Sequence, residues 1–181
     1  MEIRNKAGEV IAVSDPPESR IFDGMTLHNA DLAGLELEGI SFDGCDLCGS
    51  DLTNADLYWA TLSDVSFESC VLVGADLSGA FMYKASFRNA DLRGAIFTRD
   101  NLNGRTCLNI VDFSGANLDG ADFTDAVYDE ETIFPAGFDP RLRGLTPKAE
   151  IPEPVRLSSR AAWEAAARLA AEEATDISGS L

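Results

Sequence analysis

The 181-residue sequence has little of what catalytic and metal sites are usually made from, since it contains one histidine and four cysteines. With His28 alone, neither a zinc site of the usual Cys/His type nor a choice of catalytic bases is available. Cys45 and Cys48 form a single CxxC motif, which is a weak signal without a second pair. We therefore predict no metal, no cofactor and no catalytic residue, in a protein that is not an enzyme.

Basic residues are scarce as well: 14 Lys+Arg stand against 31 Asp+Glu, a formal net charge of −17. This excludes direct nucleic-acid binding, which needs basic residues to neutralise phosphates. No apolar run approaches the roughly 18 residues of a membrane span, and residues 1–4 do not resemble the start of a signal peptide. We expect a cytoplasmic protein that makes no membrane contact and forms one compact unit.

What the sequence has instead is an internal repeat of five residues. Large apolar residues recur at every fifth position from Phe22 to Leu102, and after one extra residue the series resumes at Leu108 and runs to Ile133. Most units place a small residue two positions before the large one, and many place Gly or Asn two positions after it.

A period of five belongs to neither an α-helix nor a flat strand. A turn residue in every unit bends the chain once per unit, and the large and small residues of the short extended segment then point inward together. If four corners close a square, one coil takes about 20 residues and coils stack about 4.8 Å apart. Residues 22–133 would then form about five and a half coils around a core of Leu, Phe and Ala.

The units Ala30-Asp31-Leu32-Ala33-Gly34 and Ala75-Asp76-Leu77-Ser78-Gly79 resemble the repeats of the pentapeptide repeat protein family. The resemblance covers about three-fifths of the chain and implies an all-β solenoid, a right-handed quadrilateral β-helix. Two features depart from the pattern. The extra residue before Leu108 should bulge one corner, and Asp100 is an acid at an inward position, which we expect to lie where that bulge distorts the coil.

Separate structures are predicted at the two ends of the solenoid, which must be shielded from water and from other edges. Residues 1–20 predict an N-terminal hairpin cap over residues 2–13 and a Pro-Pro link. The solenoid itself is assigned to residues 21–138, where Phe134 and Phe138 could cover the last coil.

Beyond the solenoid, residues 139–157 hold four of the seven prolines and predict an extended linker. Residues 158–177 predict a C-terminal α-helix. This helix could form a homodimer or dock onto its own rod, and both interpretations stay open. The face available for either contact consists of Trp163, Ala166, Ala167, Ala170 and Ala174.

The acidic charge is concentrated in the repeat. Residues 21–134 hold 20 acids and five bases, a net of −15, and residues 21–83 hold 11 acids and no Lys or Arg. Residues one coil apart should stack on the same face. One predicted column consists of Asp31, Asp51, Asp91 and Asp112. The adjacent predicted column consists of Glu36, Asp56 and Asp76.

These columns have two interpretations. Aspartate in this position could bond to corner amides and keep the rod soluble. Alternatively, stacked carboxylates repel, and a cationic partner would relieve that repulsion, so the rod could imitate DNA. The family resemblance makes the second interpretation available, because some pentapeptide repeat proteins bind DNA gyrase in place of DNA and protect it from quinolone-type inhibitors or toxins.

A second candidate surface is aromatic. Clustered exposed aromatic side chains usually mark an interaction site, unless the linker or the terminal helix covers them. The candidates are Tyr58, Trp59, Phe81 and Tyr83. From the sequence we predict a non-enzymatic acidic β-helical protein-interaction module, with a topoisomerase-protecting DNA mimic as the alternative.

Overall fold

The computed structural model describes residues 1–14 and 19–151, and most of them form a β-helix. Parallel bridges join residues 20 positions apart, such as Ile21 to Ser41 and Asp31 to Asp51. Each bridging residue directly precedes a large apolar residue of the repeat. The period of five therefore closes one four-sided coil every 20 residues, as the turn spacing predicts.

The core is a ladder of large side chains that point inward from all four sides. Phe22, Leu27, Leu32 and Leu37 are completely buried, and the same pattern repeats in the following coils. Phenylalanines one coil apart stack on one another, with ring centroids 4.8 Å apart for Phe67 and Phe87. This packing buries apolar area in every coil and makes each coil depend on its neighbours.

The corners adopt the left-handed conformation, which explains the Gly and Asn of the repeat. Large corner side chains are accommodated by glycine one coil later. A Cβ atom on Gly74 would lie 2.5 Å from Oδ1 of Asn54, and one on Gly115 would lie 2.4 Å from Oδ1 of Asn89. At these corners, the glycine makes room for the asparagine side chain of the preceding coil.

An antiparallel hairpin lies over the N-terminal end of the β-helix. Strand β1 (Glu2–Asn5) pairs with β2 (Val10–Val13) on one side and with β3 (Ala30–Asp31) on the other. Ile3 is 1% exposed and belongs to the core of the rod. The hairpin therefore shields the first coil, the function expected of a solenoid cap.

The C-terminal end is closed by aromatic rings and by a small parallel sheet. Phe134 stacks on Phe113 at 5.7 Å, and Phe138 lies edge-on to Phe123 at 5.7 Å. The sheet contains β4 (Cys107–Leu108), β5 (Val127–Tyr128) and β6 (Thr146–Pro147).

Residues 139–151 are not the extended linker that their prolines suggest. They form the 3-10 helices Arg141–Arg143 and Lys148–Glu150 on either side of β6. Leu145 and Ile151 are each 4% exposed, so this segment packs against the rod. The predicted helix over 158–177 lies outside the described residues, and with it the dimer face of Trp163, Ala166, Ala167, Ala170 and Ala174.

One coil is longer than the sequence suggests. Phe81 bridges to Cys107, 26 positions later, so six residues are added to this coil and not one. Leu102 keeps the apolar spacing of the repeat but is 65% exposed, because its unit leaves the wall of the rod. We call residues 100–105 the insertion.

Candidate protein-interaction surface

Two adjacent faces of the rod carry the acidic columns. The first runs through Asp31, Asp51, Val71, Asp91 and Asn117. The second runs through Glu36, Asp56, Asp76, Ile96 and Asp122. The structure thus brings together Asp31, Asp51 and Asp91 on one face and Glu36, Asp56 and Asp76 on the next.

Asp112 does not belong to the first column. It follows Ser86 and precedes Ile133 on a different face. The sequence analysis allowed for one added residue, whereas the insertion adds six. The difference of five residues moves every later unit by one side of the square. Asn117 occupies the position that the sequence count assigned to Asp112.

Most of these carboxylates also hold a corner of the coil. Oδ1 of Asp51 accepts a hydrogen bond from the amide of Thr53 at 3.0 Å, and Oδ1 of Asp56 accepts one from the amide of Tyr58 at 2.9 Å. Asn117 makes the same contact to the amide of Asp119 at 3.0 Å. An asparagine in this position therefore keeps the hydrogen bond to the corner amide but carries no charge.

The bonds at its corner favour the ionised form of Asp51. Hydrogen bonds from the side chain and the amide of Thr53 lower the pKa of Asp51. Asp51 therefore remains ionised at neutral pH, although Asp31 lies only one coil away.

Basic residues form a collar around one coil, which separates two acidic stretches. Lys84, Arg88 and Arg93 lie in three successive turns, and Arg99 directly precedes the insertion. Arg93 binds both oxygens of Asp91, with Nη2 to Oδ2 at 2.7 Å and Nε to Oδ1 at 2.8 Å, and lowers the pKa of that carboxyl group. Asp91 is thus neutralised by its neighbour.

The insertion covers part of the aromatic surface. The indole of Trp59 donates from Nε1 to Oδ2 of Asp100 at 3.0 Å, and Oη of Tyr58 accepts a bond from the amide of Asn101 at 2.7 Å. The two rings stack with centroids 5.8 Å apart. Tyr58 and Trp59 are half-buried anchors of the insertion.

Asp100 organises this contact from inside the loop. It is 6% exposed, and its Oδ1 accepts bonds from the amides of Leu102 at 2.9 Å and Gly104 at 2.6 Å. The sequence signals this position through an acid at an inward site, but nothing in the spacing reveals that Trp59 is its partner.

The other two aromatic candidates lie on the following unit. Phe81 is half-buried in the wall, and Tyr83 is 37% exposed at the next corner, with the ammonium group of Lys84 5.1 Å from its ring centroid. The four rings therefore do not form one open aromatic patch, because the insertion occupies the space beside Tyr58 and Trp59.

The cysteines are buried, with the exception of half-buried Cys48. Cys45 and Cys70 donate from Sγ to the carbonyl groups of Phe22 and Leu47, both at 2.9 Å. Burial raises the pKa of Cys45 to about 11 and that of Cys70 to about 12. The thiolate, which is the reactive form, is therefore disfavoured at both sites, and Cys45 and Cys48 form no disulfide in this structure.

Neither a metal-binding cluster nor a membrane-spanning helix is found in the described part of the chain. No group of three or more His, Cys, Asp and Glu side chains is placed there to hold a metal ion. Within residues 1–14 and 19–151, no helix is long and apolar enough to cross a bilayer.

A sequence profile for pentapeptide repeats matches the chain in eight copies, over residues 26–64, 60–99 and 106–127. These ranges cover more than half of the chain. The chain belongs to the pentapeptide repeat family. Members of this family form right-handed β-helices, and the parallel bridges at 20-residue spacing are those of a β-helix. The gap in the profile, residues 100–105, coincides with the insertion.

Several solved pentapeptide repeat structures are similar to this one. HetL of the cyanobacterium Nostoc, involved in heterocyst differentiation regulation, is 27% identical over 64% of this chain and 49% of its own, with a TM-score of 0.46. The chain thus spans about half the length of HetL. Rfr23 of the cyanobacterium Cyanothece is 20% identical over 65% of this chain and 92% of its own, with a TM-score of 0.49.

A third similar structure is QnrB1, a plasmid-mediated fluoroquinolone resistance protein. It is 18% identical over 70% of this chain and 83% of its own, with a TM-score of 0.47. No curated protein sequence matches the chain.

Proposed function

We propose that this pentapeptide repeat protein is a non-enzymatic interaction module, a right-handed rod of about five and a half coils that binds a protein partner through its acidic faces. The observation that carries the proposal is the charge of residues 21–83. This stretch has 11 acids and no Lys or Arg, and five of the acids lie in the two adjacent columns.

The partner should present a cationic surface. Asp51, Asp56 and Asp76 each accept the hydrogen bond of a corner amide with Oδ1, so this amide does not occupy the second carboxylate oxygen. The carboxylates are fixed before binding, so a partner with Lys or Arg side chains gains attraction without ordering the acidic groups. Asp91, Asp112 and Asp125 pair with Arg93, Arg88 and Arg99, whereas residues 21–83 contain no Lys or Arg that could pair with their acids.

A topoisomerase-binding DNA mimic is the second candidate, and the linear charge density of the rod favours it. Where both columns carry an acid, the rod presents two charges per coil, or two per about 4.8 Å. Duplex DNA carries one charge per about 1.7 Å. The two densities differ by less than a factor of about two, so a protein groove that accepts DNA is a chemically reasonable partner.

The experiment is a supercoiling assay with DNA gyrase, with and without a fluoroquinolone, in which the protein is titrated. We expect inhibition, or rescue from the drug, at protein concentrations near that of the enzyme. No effect at large excess would rule out the mimic for that gyrase and leave the general interaction module to be tested with other cationic proteins.

The triple variant Asp51→Asn, Asp56→Asn, Asp76→Asn is the sharpest test of the binding surface. Each asparagine keeps the corner bond, as Asn117 does, so the fold should be retained while three charges are lost. Asp122→Asn is the matched control, because Asp122 holds the amide of Thr124 in the same way but lies beyond the collar. Equal binding by the triple variant and the control would contradict an acidic binding surface.

A further inference from the structure

A groove of about 510 Å³ lies at the C-terminal end of the β-helix. One wall is formed by residues 115–119 of the β-helix, and the other by residues 135–143. The apolar part of the lining consists of Ala116, Leu118, Pro135, Ala136, Phe138 and Leu142.

The groove lies where one face of the rod has no further coil. The column of Asp31 ends at Asn117 within the described residues, whereas the column of Asp112 is continued by Ile133. On the opposite wall, Leu142 is 84% exposed, more than any other large apolar side chain in the described part of the chain. Covering this wall would remove apolar surface from water.

The last described residues are joined to the segment that forms the second wall of the groove. Glu150 forms an ion pair with Arg141, the neighbour of Leu142, at 2.5 Å. Ile151 is then 4% exposed, and 30 residues follow it. The connecting residues 152–157 span up to about 20 Å when extended, so the segment after them starts within reach of the groove.

We propose that residues 158–177 of the same chain occupy this groove, with Trp163 as the anchoring side chain. Trp163 is the only aromatic residue after Phe138, and the groove has the size of sites that hold an aromatic group. Burial of one tryptophan removes up to about 250 Å² of surface from water. This contact would complete the end of the rod where the column stops at Asn117.

The occupant belongs to the same chain and not to a second copy because of charge and tethering. Each copy carries a formal charge of −17, so two copies repel each other at low ionic strength, where salt does not screen their surface charges. A segment tethered by a short linker is present at an effective concentration of the order of millimolar. The same apolar contact is therefore reached more easily within one chain.

Tryptophan fluorescence of the full chain tests the proposal. The sequence has two tryptophans, so Trp59→Phe leaves Trp163 as the sole emitter. We expect blue-shifted emission with weak quenching by acrylamide, both independent of protein concentration. Adding Leu142→Glu should shift the emission to the red and increase quenching. Leu102→Glu, an exposed leucine in the insertion, is the control that should change neither.

A second measurement removes the dependence on Trp59→Phe, which alters the anchor of the insertion. The difference between the spectra of the unsubstituted chain and Trp163→Phe reports the same residue. Emission of Trp163 typical of water in both measurements would overturn the proposal. Burial that disappears on dilution, together with a dimer in light scattering, would overturn it in favour of a second copy.

Discussion

Gly79, at one corner of the rod, should not tolerate replacement by alanine, and Gly94 at another corner provides the matched comparison. Gly79 and Gly94 are corner residues with almost the same backbone conformation, φ +68° and +67°. A Cβ atom on Gly79 would lie 2.5 Å from Cδ1 of Trp59 and 2.9 Å from Cβ of Asp100, whereas one on Gly94 would meet nothing within 4 Å. The two alanine variants share the backbone strain and differ in the collision.

The magnitude follows from these two contributions. Left-handed alanine costs about 1 kcal/mol, which is the whole effect expected for Gly94→Ala. Overpacking adds about 1–3 kcal/mol, so Gly79→Ala should lose about 2–4 kcal/mol of unfolding free energy. The indole of Trp59 cannot move aside freely, because it stacks on Tyr58 and bonds to Asp100.

Urea unfolding followed by far-UV circular dichroism and by tryptophan fluorescence measures both variants. A difference of less than about 0.5 kcal/mol between Gly79→Ala and Gly94→Ala would refute the steric argument. Trp59→Ala provides the internal check: in a double-mutant cycle with Gly79→Ala it should remove most of the extra loss, since the nearer of the two obstacles is gone.

Three further changes test other parts of the structure. Tyr58→Phe removes the acceptor for the amide of Asn101 and should cost about 1 kcal/mol, seen as faster proteolysis of the insertion. The raised thiol pKa values of Cys45 and Cys70 mean that above about pH 9 the unfolded chain loses protons that the folded chain keeps. Unfolding free energy should therefore fall from about pH 9 towards pH 12, and less steeply in Cys70→Ala. Phe138→Ala uncovers the last coil and should cost about 2 kcal/mol, with hydrogen exchange rising there first.

The repeat itself could be predicted because one rule governs every side of the square. The large residues at Phe22, Leu27, Leu32 and Leu37 are buried as the spacing requires. Periodicity and turn residues are local properties, and in a solenoid each coil contacts only its neighbours, so local information is nearly sufficient.

The insertion could not be counted from spacing alone. Leu102 has the apolar character and the position of a core residue, yet its unit leaves the wall. The decisive contacts lie between Asp100 and Trp59, 41 residues apart, and spacing within the repeat does not specify them. Allowing for one added residue instead of six wrongly assigns Asp112 to the first column, while the assignments before the insertion are unaffected.

The aromatic candidates show the same limit for the site. The sequence predicts that Tyr58 and Trp59 are exposed, because their corner positions face outward in an ideal coil. Only the position of the insertion shows that they are half-buried. The carboxylate columns of residues 31–76 depend on the 20-residue period alone, so their placement followed from the sequence.

The insertion has a consequence for how the length of this chain can change. All four bridges that cross it, from Phe81, Ser86, Asp91 and Ile96, have the same offset of 26 residues, and the coils on either side keep their alignment. Extra residues at one corner therefore do not alter the pitch or the order of the faces. This corner is a natural point for grafting a foreign peptide, because the rod tolerates length there while the rest of the scaffold keeps its register.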